Sequence, residues 1–411
     1  MSGYIVKTGD TFETIARKQY GTEAAAGQIA SANPGVMEPL TAGTSIITPI
    51  LADAPRNISI NAPATSIDEV AILINGERFR FWDRVTITRS IDTVDTVEFG
   101  SPFDAETPSF RETFRPFSYK PIQITVGGTV LFTGTMVGVN PALGNEQKTV
   151  SVSGYSLAGV LNDCTPPSSN TEKLEFNGQG LKEIATSLAA PFGVGVEFQA
   201  EQGAVFDRVA SDPSKKILSF IADLAKQRNL IVSSTKDGKL LFLKSVEAGK
   251  PVANLSQGNS PLTSVEPFFS PQDYHSHISG IEPVVVGSTG SQYTVKNPRL
   301  LGVTRPLTFS VTDTEGGGLK EAVEAKIGRM FGNMASYSIS VSTWRDPQGN
   351  LWEPNTTIKL LAPDAMIYKE YEFIIRSVQF ERDSGSATAR LNLVIPGSFS
   401  GKVPEVLPWE G

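Results

Sequence analysis

From residue 70 onward the chain alternates apolar and polar residues in short runs, and the runs are punctuated by turn signals. Val85 and Ile87, Val97 and Phe99, Ile122, Ile124 and Val126, and Leu391 and Leu393 are each separated by one polar residue. Successive side chains of an extended strand point to opposite faces, so this period of two builds sheets with one core-facing and one solvated surface. Asn75-Gly76, Gly127-Gly128 and Asp237-Gly238 fall between runs and suit the left-handed backbone of tight hairpins. The 37 Gly and 27 Pro fit a fold of many short strands and turns.

At 411 residues the chain exceeds what one core organises, so several domains are expected. A formal charge of -7 repels phosphate backbones and argues against nucleic-acid binding as the main role. Cys164 is the single cysteine, which excludes an intrachain disulfide and a thiolate zinc cluster. No apolar run reaches the roughly 20 residues a membrane helix needs. Met1 to Lys7 lacks the basic start and apolar core of a secretory signal, so a soluble, cytosolic origin is expected.

Helical spacing appears in a few places. Near the N-terminus, Asp10 is expected to cap a helix carrying Phe12, Ile15 and Ala16, with Glu13 completing a capping-box-like pair. A second short helix through Ala25 to Ala32 breaks at Asn33-Pro34-Gly35. Leu181, Ile184, Ala185 and Leu188 form another stripe. A further helix is expected to open at Asp212-Pro213-Ser214 and bury Ile217, Ile221 and Leu224. The last runs through Leu319, Val323, Ile327 and Phe331.

Catalytic chemistry is hard to find. His275 and His277 alternate, which predicts both imidazoles on one strand face, yet no third metal ligand accompanies them. Gly316-Gly317-Gly318 precedes a helix without the spacing of a phosphate loop. Asp104, Glu106 and Glu112 lie among Phe103, Phe110 and Phe114, which reads as a solvated loop with aromatic anchors; Arg111 and Arg115 beside them favour a contact surface. No nucleophile elbow or H-E-x-x-H motif is present. The expectation is a non-enzyme needing no cofactor and no metal.

Residues 1–50 resemble the LysM module through Tyr4/Val6, Gly9-Asp10-Thr11, Ile15-Ala16, Tyr20-Gly21, Ile29/Ala32-Asn33-Pro34, Leu40/Gly43 and Ile47/Pro49. That resemblance implies a βααβ fold with a groove between two loops, here Gly9, Asp10, Thr11 and Phe12 on one side and Asn33, Pro34 and Gly35 on the other. The body resembles the central baseplate hub of contractile phage tails, related to the base of type VI secretion spikes. Three stretches carry it: Tyr119 to Cys164, Ile217 to Leu243, and Trp344 to Pro396.

Together these give a mainly β fold class with α+β parts. Residues 1–50 form the module and 51–68 a linker. A first antiparallel β-barrel spans 69–165, an α+β domain 166–265, and a second related barrel with an inserted helix 266–400. The tail is 401–411. The strands from Ile122 to Gly154 and from Ile358 to Val394 echo one another as a weak internal duplication. What the hub resemblance implies is a homotrimer between a hexameric tail tube and a trimeric spike, placed in the virion baseplate and assembled in the host cytoplasm. Its partners would be the tube, the spike and neighbouring baseplate proteins, with DNA only as passing cargo. The alternative is a tail-tip protein that binds peptidoglycan through residues 1–50 and aids cell-wall penetration.

Overall fold

The computed structural model describes residues 2–20, 26–48, 67–144, 148–167, 174–246, 249–281, 290–300, 302–310, 319–383, 385–399 and 406–410. Several expectations lie outside the described residues: most of the linker, Gly21, Pro49, the turn at Asn145-Glu146, Ser168 to Asn170, the triglycine at 316–318, Ser384 and most of the tail.

The N-terminal module pairs strand Ser2–Ile5 antiparallel with Ser45–Thr48 and packs helices Phe12–Tyr20 and Ala26–Ala32 against them. Val6, Phe12, Ile15, Ala16, Ile29 and Ile46 form its core. The cap differs from the expected one. Thr11 Oγ1 accepts the Thr14 N–H at 3.1 Å, and Thr14 Oγ1 accepts the Thr11 N–H at 2.8 Å, a reciprocal capping box. Asp10 is drawn away by three other donors, described below.

The body is dominated by two sets of six strands. The first comprises β1 (Val70–Ile74), β2 (Arg84–Ser90), β3 (Thr96–Pro102), β4 (Pro121–Val126), β5 (Thr129–Leu143) and β6 (Lys148–Ser156). The second comprises β7 (Ala253–Ser256), β8 (Leu262–Phe269), β9 (Ala335–Val341), β10 (Thr357–Ala362), β11 (Ile367–Arg382) and β12 (Ala387–Val394). Hydrogen-bonded order in the first set is β2-β3-β6-β5-β4-β1, and in the second it is β8-β9-β12-β11-β10-β7. Each strand thus has the same neighbours as its counterpart six places later, with two departures: the β7–β10 pair is parallel where β1–β4 is antiparallel, and β1 also pairs with a short strand, Glu77–Phe79, that has no counterpart beside β7.

The correspondence extends to irregularities. The ladder of β5 with β6 shifts between Met136 and Gly138, leaving Val137 as the extra residue. That of β11 with β12 shifts between Ile375 and Ser377, leaving Arg376. Both are β-bulges, which bend and twist a strand.

The two sets share one sheet. The second half of β11 pairs with β2, Ser377 opposite Ser90 through Arg382 opposite Val85. A single hydrophobic cluster runs through both, including Ile87, Phe99, Phe132, Tyr337, Phe373 and Phe380. β11 is one continuous strand of 16 residues, bent at the bulged Arg376.

Between the sets lies a smaller α+β unit with its own core, built on helices Leu181–Ala189 and Ile217–Gln227 and the sheet Val196–Phe198, Leu240–Leu243, Ile231–Ser234. The second helix begins later than expected. Asp212 Oδ1 instead accepts the Ser214 N–H at 2.7 Å, closing a local turn that ends before Lys216. In the Asp237-Gly238 hairpin Gly238 has φ +87, and a Cβ there would lie 2.7 Å from Leu157 Cγ, so both backbone and space demand glycine. Between β8 and β9 the chain inserts a three-stranded sheet, Gln292–Lys296, His277–Ile281 and Pro306–Ser310, with helix Leu319–Met334 against it.

Candidate functional site

The joined sheet presents one extended outward face. Directly paired residues share a face, so the registers define it strand by strand. On β9 it carries Ser338 and Ser340, opposite Asn392 and Arg390 of β12. Crossing β11 it continues through Ser377, Gln379 and Glu381, then Thr88 and Thr86 of β2. It ends on Thr96 and Glu98 of β3, Ser153 and Ser151 of β6, and Asn140 of β5. The intervening residues, such as Ile339, Leu391, Phe380, Ile87, Phe99 and Val152, are buried on the other face. The exposed surface is therefore mostly short, uncharged hydroxyl and amide side chains, with Glu98 and Glu381 offset by Arg390 and by Arg84, which lies opposite Gly100 on the same face. The alternation signalled this surface, but polar partners of apolar positions look like ordinary solvated residues until strand order aligns them.

Where the two sets and the α+β unit meet, charges are buried together. Arg89 Nε donates to Asp95 Oδ2 at 3.2 Å, and Arg89 Nη1 to Glu353 Oε2 at 2.6 Å. Burial pushes the Asp95 carboxyl up to about 6 despite the opposing Arg89 guanidinium. The bulged Arg376 donates to Asp92 Oδ2 from Nε at 3.0 Å and Nη2 at 2.7 Å, so the bulge aims this side chain across the junction. The Asp95 N–H donates to Ser234 Oγ at 2.8 Å, and Asn355 Nδ2 donates to Lys244 O at 3.0 Å, fastening the α+β unit to both sets. An open cleft of about 240 Å³ lies here, lined by Arg89, Glu197, Lys236, Glu353 and Asn355 among others. Arg89 and Lys236 face Glu197, Asp237 and Glu353 there, and the geometry reads as a brace between three pieces.

In the module the two expected loops meet, because Glu38 Oε1 accepts the Phe12 N–H at 2.5 Å. The seven expected groove residues divide. Gly9, Pro34 and Gly35 are exposed and Thr11 is half-buried. Asp10 is buried, accepting from Tyr4 Oη at 2.8 Å, Lys7 N at 2.8 Å and Lys18 Nζ at 2.5 Å. The Lys18 and Lys7 bonds hold its carboxyl down at about 2. Phe12 is in the core, and the Asn33 amide is spent internally: Nδ2 donates to Ile29 O and Ile47 O, and Oδ1 accepts the Ile47 N–H, all at 2.7 Å.

His275 and His277 do not share a strand face. The strand starts at His277, while His275 precedes it with its N–H on Met330 Sδ at 3.3 Å. Among the described residues no group of three or more potential metal ligands gathers. The stretch expected as a solvated loop contains a short helix, Pro108–Thr113, whose Phe110 packs with Phe79 and Phe114 at centroid distances of 6.3 and 6.0 Å. Phe81 and Phe117 remain exposed. No described helix is long and apolar enough to cross a membrane.

Residues 158–244 match the family described as baseplate hub protein gp44-like, second domain. No curated protein matches the sequence. Among solved structures, the 43 kDa tail protein of prophage MuSo2 from Shewanella oneidensis is similar at 23% identity and TM-score 0.70, over 80% of this chain and 99% of that one. A tail protein from Neisseria meningitidis MC58 is similar at 18% identity and TM-score 0.69, over 81% and 98%. An E. coli component of the type VI secretion system, itself similar in structure to T4 tail proteins gp27 and gp5, aligns at 11% identity and TM-score 0.50, over 82% and 80%. The chain has the fold of phage tail and spike-related proteins.

Proposed function

We propose that this protein is the structural hub of a phage-type tail baseplate, in which three copies close a ring around a channel. The duplicated six-strand unit carries the reading. Two similar units per chain let a trimer present six, matching a hexameric tube on one side and a trimeric spike on the other. The polar outward face would line the channel. Short hydroxyl and amide side chains give passing DNA neither a cationic surface to adhere to nor a strong anionic barrier. No covalent chemistry is required of such a part. Its place would be the virion baseplate, of a contractile tail in the first instance, after assembly in the host cytoplasm.

The test is the mass of the full chain in solution across a concentration series. The expected result is a species of three times 44.1 kDa at high concentration. A strict monomer near 1 mM would refute the ring.

A second reading concerns residues 1–50. The Glu38 bond that joins two loops of the LysM-like module supports a ligand-facing surface. We assign it to docking on a neighbouring baseplate protein, because three of the seven groove positions are buried in the module itself. Saturable binding of the full chain to purified peptidoglycan, lost when the module is deleted, would favour glycan capture instead.

A further inference from the structure

We infer that copies of this chain join head to tail, the outer half of β5 in one copy lying along the free edge of β8 in the next. The inference rests on the ring proposed above and names its seam.

The argument starts from the junction inside the chain. The first half of β11 is paired with β10, and its second half passes on to β2. The counterparts of β11 and β2 are β5 and β8. The first half of β5 is likewise paired with β4, through Thr135. Its second half, Gly138 to Leu143, is bonded to β6, and no described strand pairs with its opposite edge. On the other side of the repeat, β8 is bonded to β9 and stands at the end of the sheet. Each set therefore offers the half of the junction that the other set uses internally.

Exposure agrees. Phe269 occupies the position of Arg89, and it is 39% exposed where Arg89 is 8% exposed. Leu143, at the tip of β5, is 82% exposed, and Phe268 is 63% exposed. Large apolar side chains on free edges are a recognised hazard and mark a contact surface when they persist.

Transferring the β11–β2 register places Val139 opposite Phe269, Ala142 opposite Glu266 and Leu143 opposite Val265. It also places Pro141 opposite Pro267, where the internal junction has Phe380 and Ile87. The Ile91 N–H donates to Arg376 O at 3.0 Å, and the alternation of an antiparallel ladder then makes Ile87–Phe380 a hydrogen-bonded pair. Two prolines at that site remove both donors, so the seam lacks its central ladder bonds. Side chains at its two ends hold it, and it is weaker than the junction within the chain. Such a seam keeps free copies from zipping into open-ended sheets. It is heterologous, and a heterologous contact that closes makes a ring.

Ala142 and Glu266 fall at a non-hydrogen-bonded pair, where Cα atoms approach to about 4.5 Å, within disulfide reach. The experiment uses the full chain with Cys164→Ser, Ala142→Cys and Glu266→Cys under mild oxidation. Covalent dimers and trimers are expected on a non-reducing gel, with little above trimer, while either single cysteine variant stays uncrosslinked. Crosslinking by one single variant would mean a two-fold contact and overturn the inference. A double variant that remains uncrosslinked while the chain has trimeric mass overturns the seam and leaves the ring standing. A chain monomeric near 1 mM overturns both. As an independent arm, Leu143→Asp is expected to weaken trimer formation at least tenfold with unchanged far-UV circular dichroism; unaltered assembly would also overturn the seam.

Discussion

Asn33 separates a structural from a ligand-binding reading of the module. Its side chain makes three hydrogen bonds of 2.7 Å, tying the end of the second helix to the closing strand at Ile47. Each such bond contributes about 1 kcal/mol net, so Asn33→Ala is expected to cost about 3 kcal/mol. At roughly 1.4 kcal/mol per decade, the unfolded fraction of the module rises about a hundredfold. Six buried hydrophobic residues are a small core with little reserve against such a loss. The assay is hydrogen exchange by mass spectrometry on the full chain. Peptides covering Ile15 and Ile46 should lose about two decades of protection, while those covering β9 to β12 keep theirs. Asn33→Asp, which keeps the acceptor for the Ile47 N–H but sets a buried carboxylate oxygen against the Ile29 and Ile47 carbonyls, should lose at least as much protection. Protection within threefold of wild type in Asn33→Ala would refute the reasoning and return Asn33 to the groove.

Three further outcomes are expected. Asp10 is held down at about 2 in the fold, so its contribution is present above the ordinary carboxylate value near 4 and is lost as pH falls towards 2. Asp95 is raised to about 6, so protonation favours the fold and its charge penalty is relieved as pH falls from about 6 to about 4. Asp10→Asn should flatten the first limb in module exchange and Asp95→Asn the second in body unfolding, each read over a pH series. Phe380 is fully buried against Trp344 at a centroid distance of 5.2 Å, and Phe380→Ala should cost about 3–5 kcal/mol, seen as a lower chemical-denaturation midpoint of the body.

Local structure was legible in the sequence where one turn or one stripe decides it. Asn75-Gly76 and Gly127-Gly128 have positive φ between paired strands, and Leu181, Ile184, Ala185 and Leu188 are buried on one helix. Illegible features depend on distant partners. Asp10 and Thr11 both suit a helix cap, and Lys18, Lys7 and Tyr4 decide between them by claiming Asp10. The bulge at Arg376, where the alternation of β11 slips by one residue, is set by pairing with β12 and not by local sequence. The echo of β4 to β6 in β10 to β12 runs along the chain, whereas the insertion between β8 and β9 hides the match of β2 and β3 with β8 and β9 until the strands are assembled. The polar surface followed from that order, and so was visible only once the strands were assembled.

The paired bulges at Val137 and Arg376 carry one more consequence. A sheet bent by its own backbone arrives at assembly with its arc already set, needing no template to curve it. In the proposed ring, the arc per copy would set how many copies complete the circle and how wide its bore is. In that ring a residue added or removed at either bulge would alter the count, whereas substitutions on the polar outward face would leave the diameter unchanged.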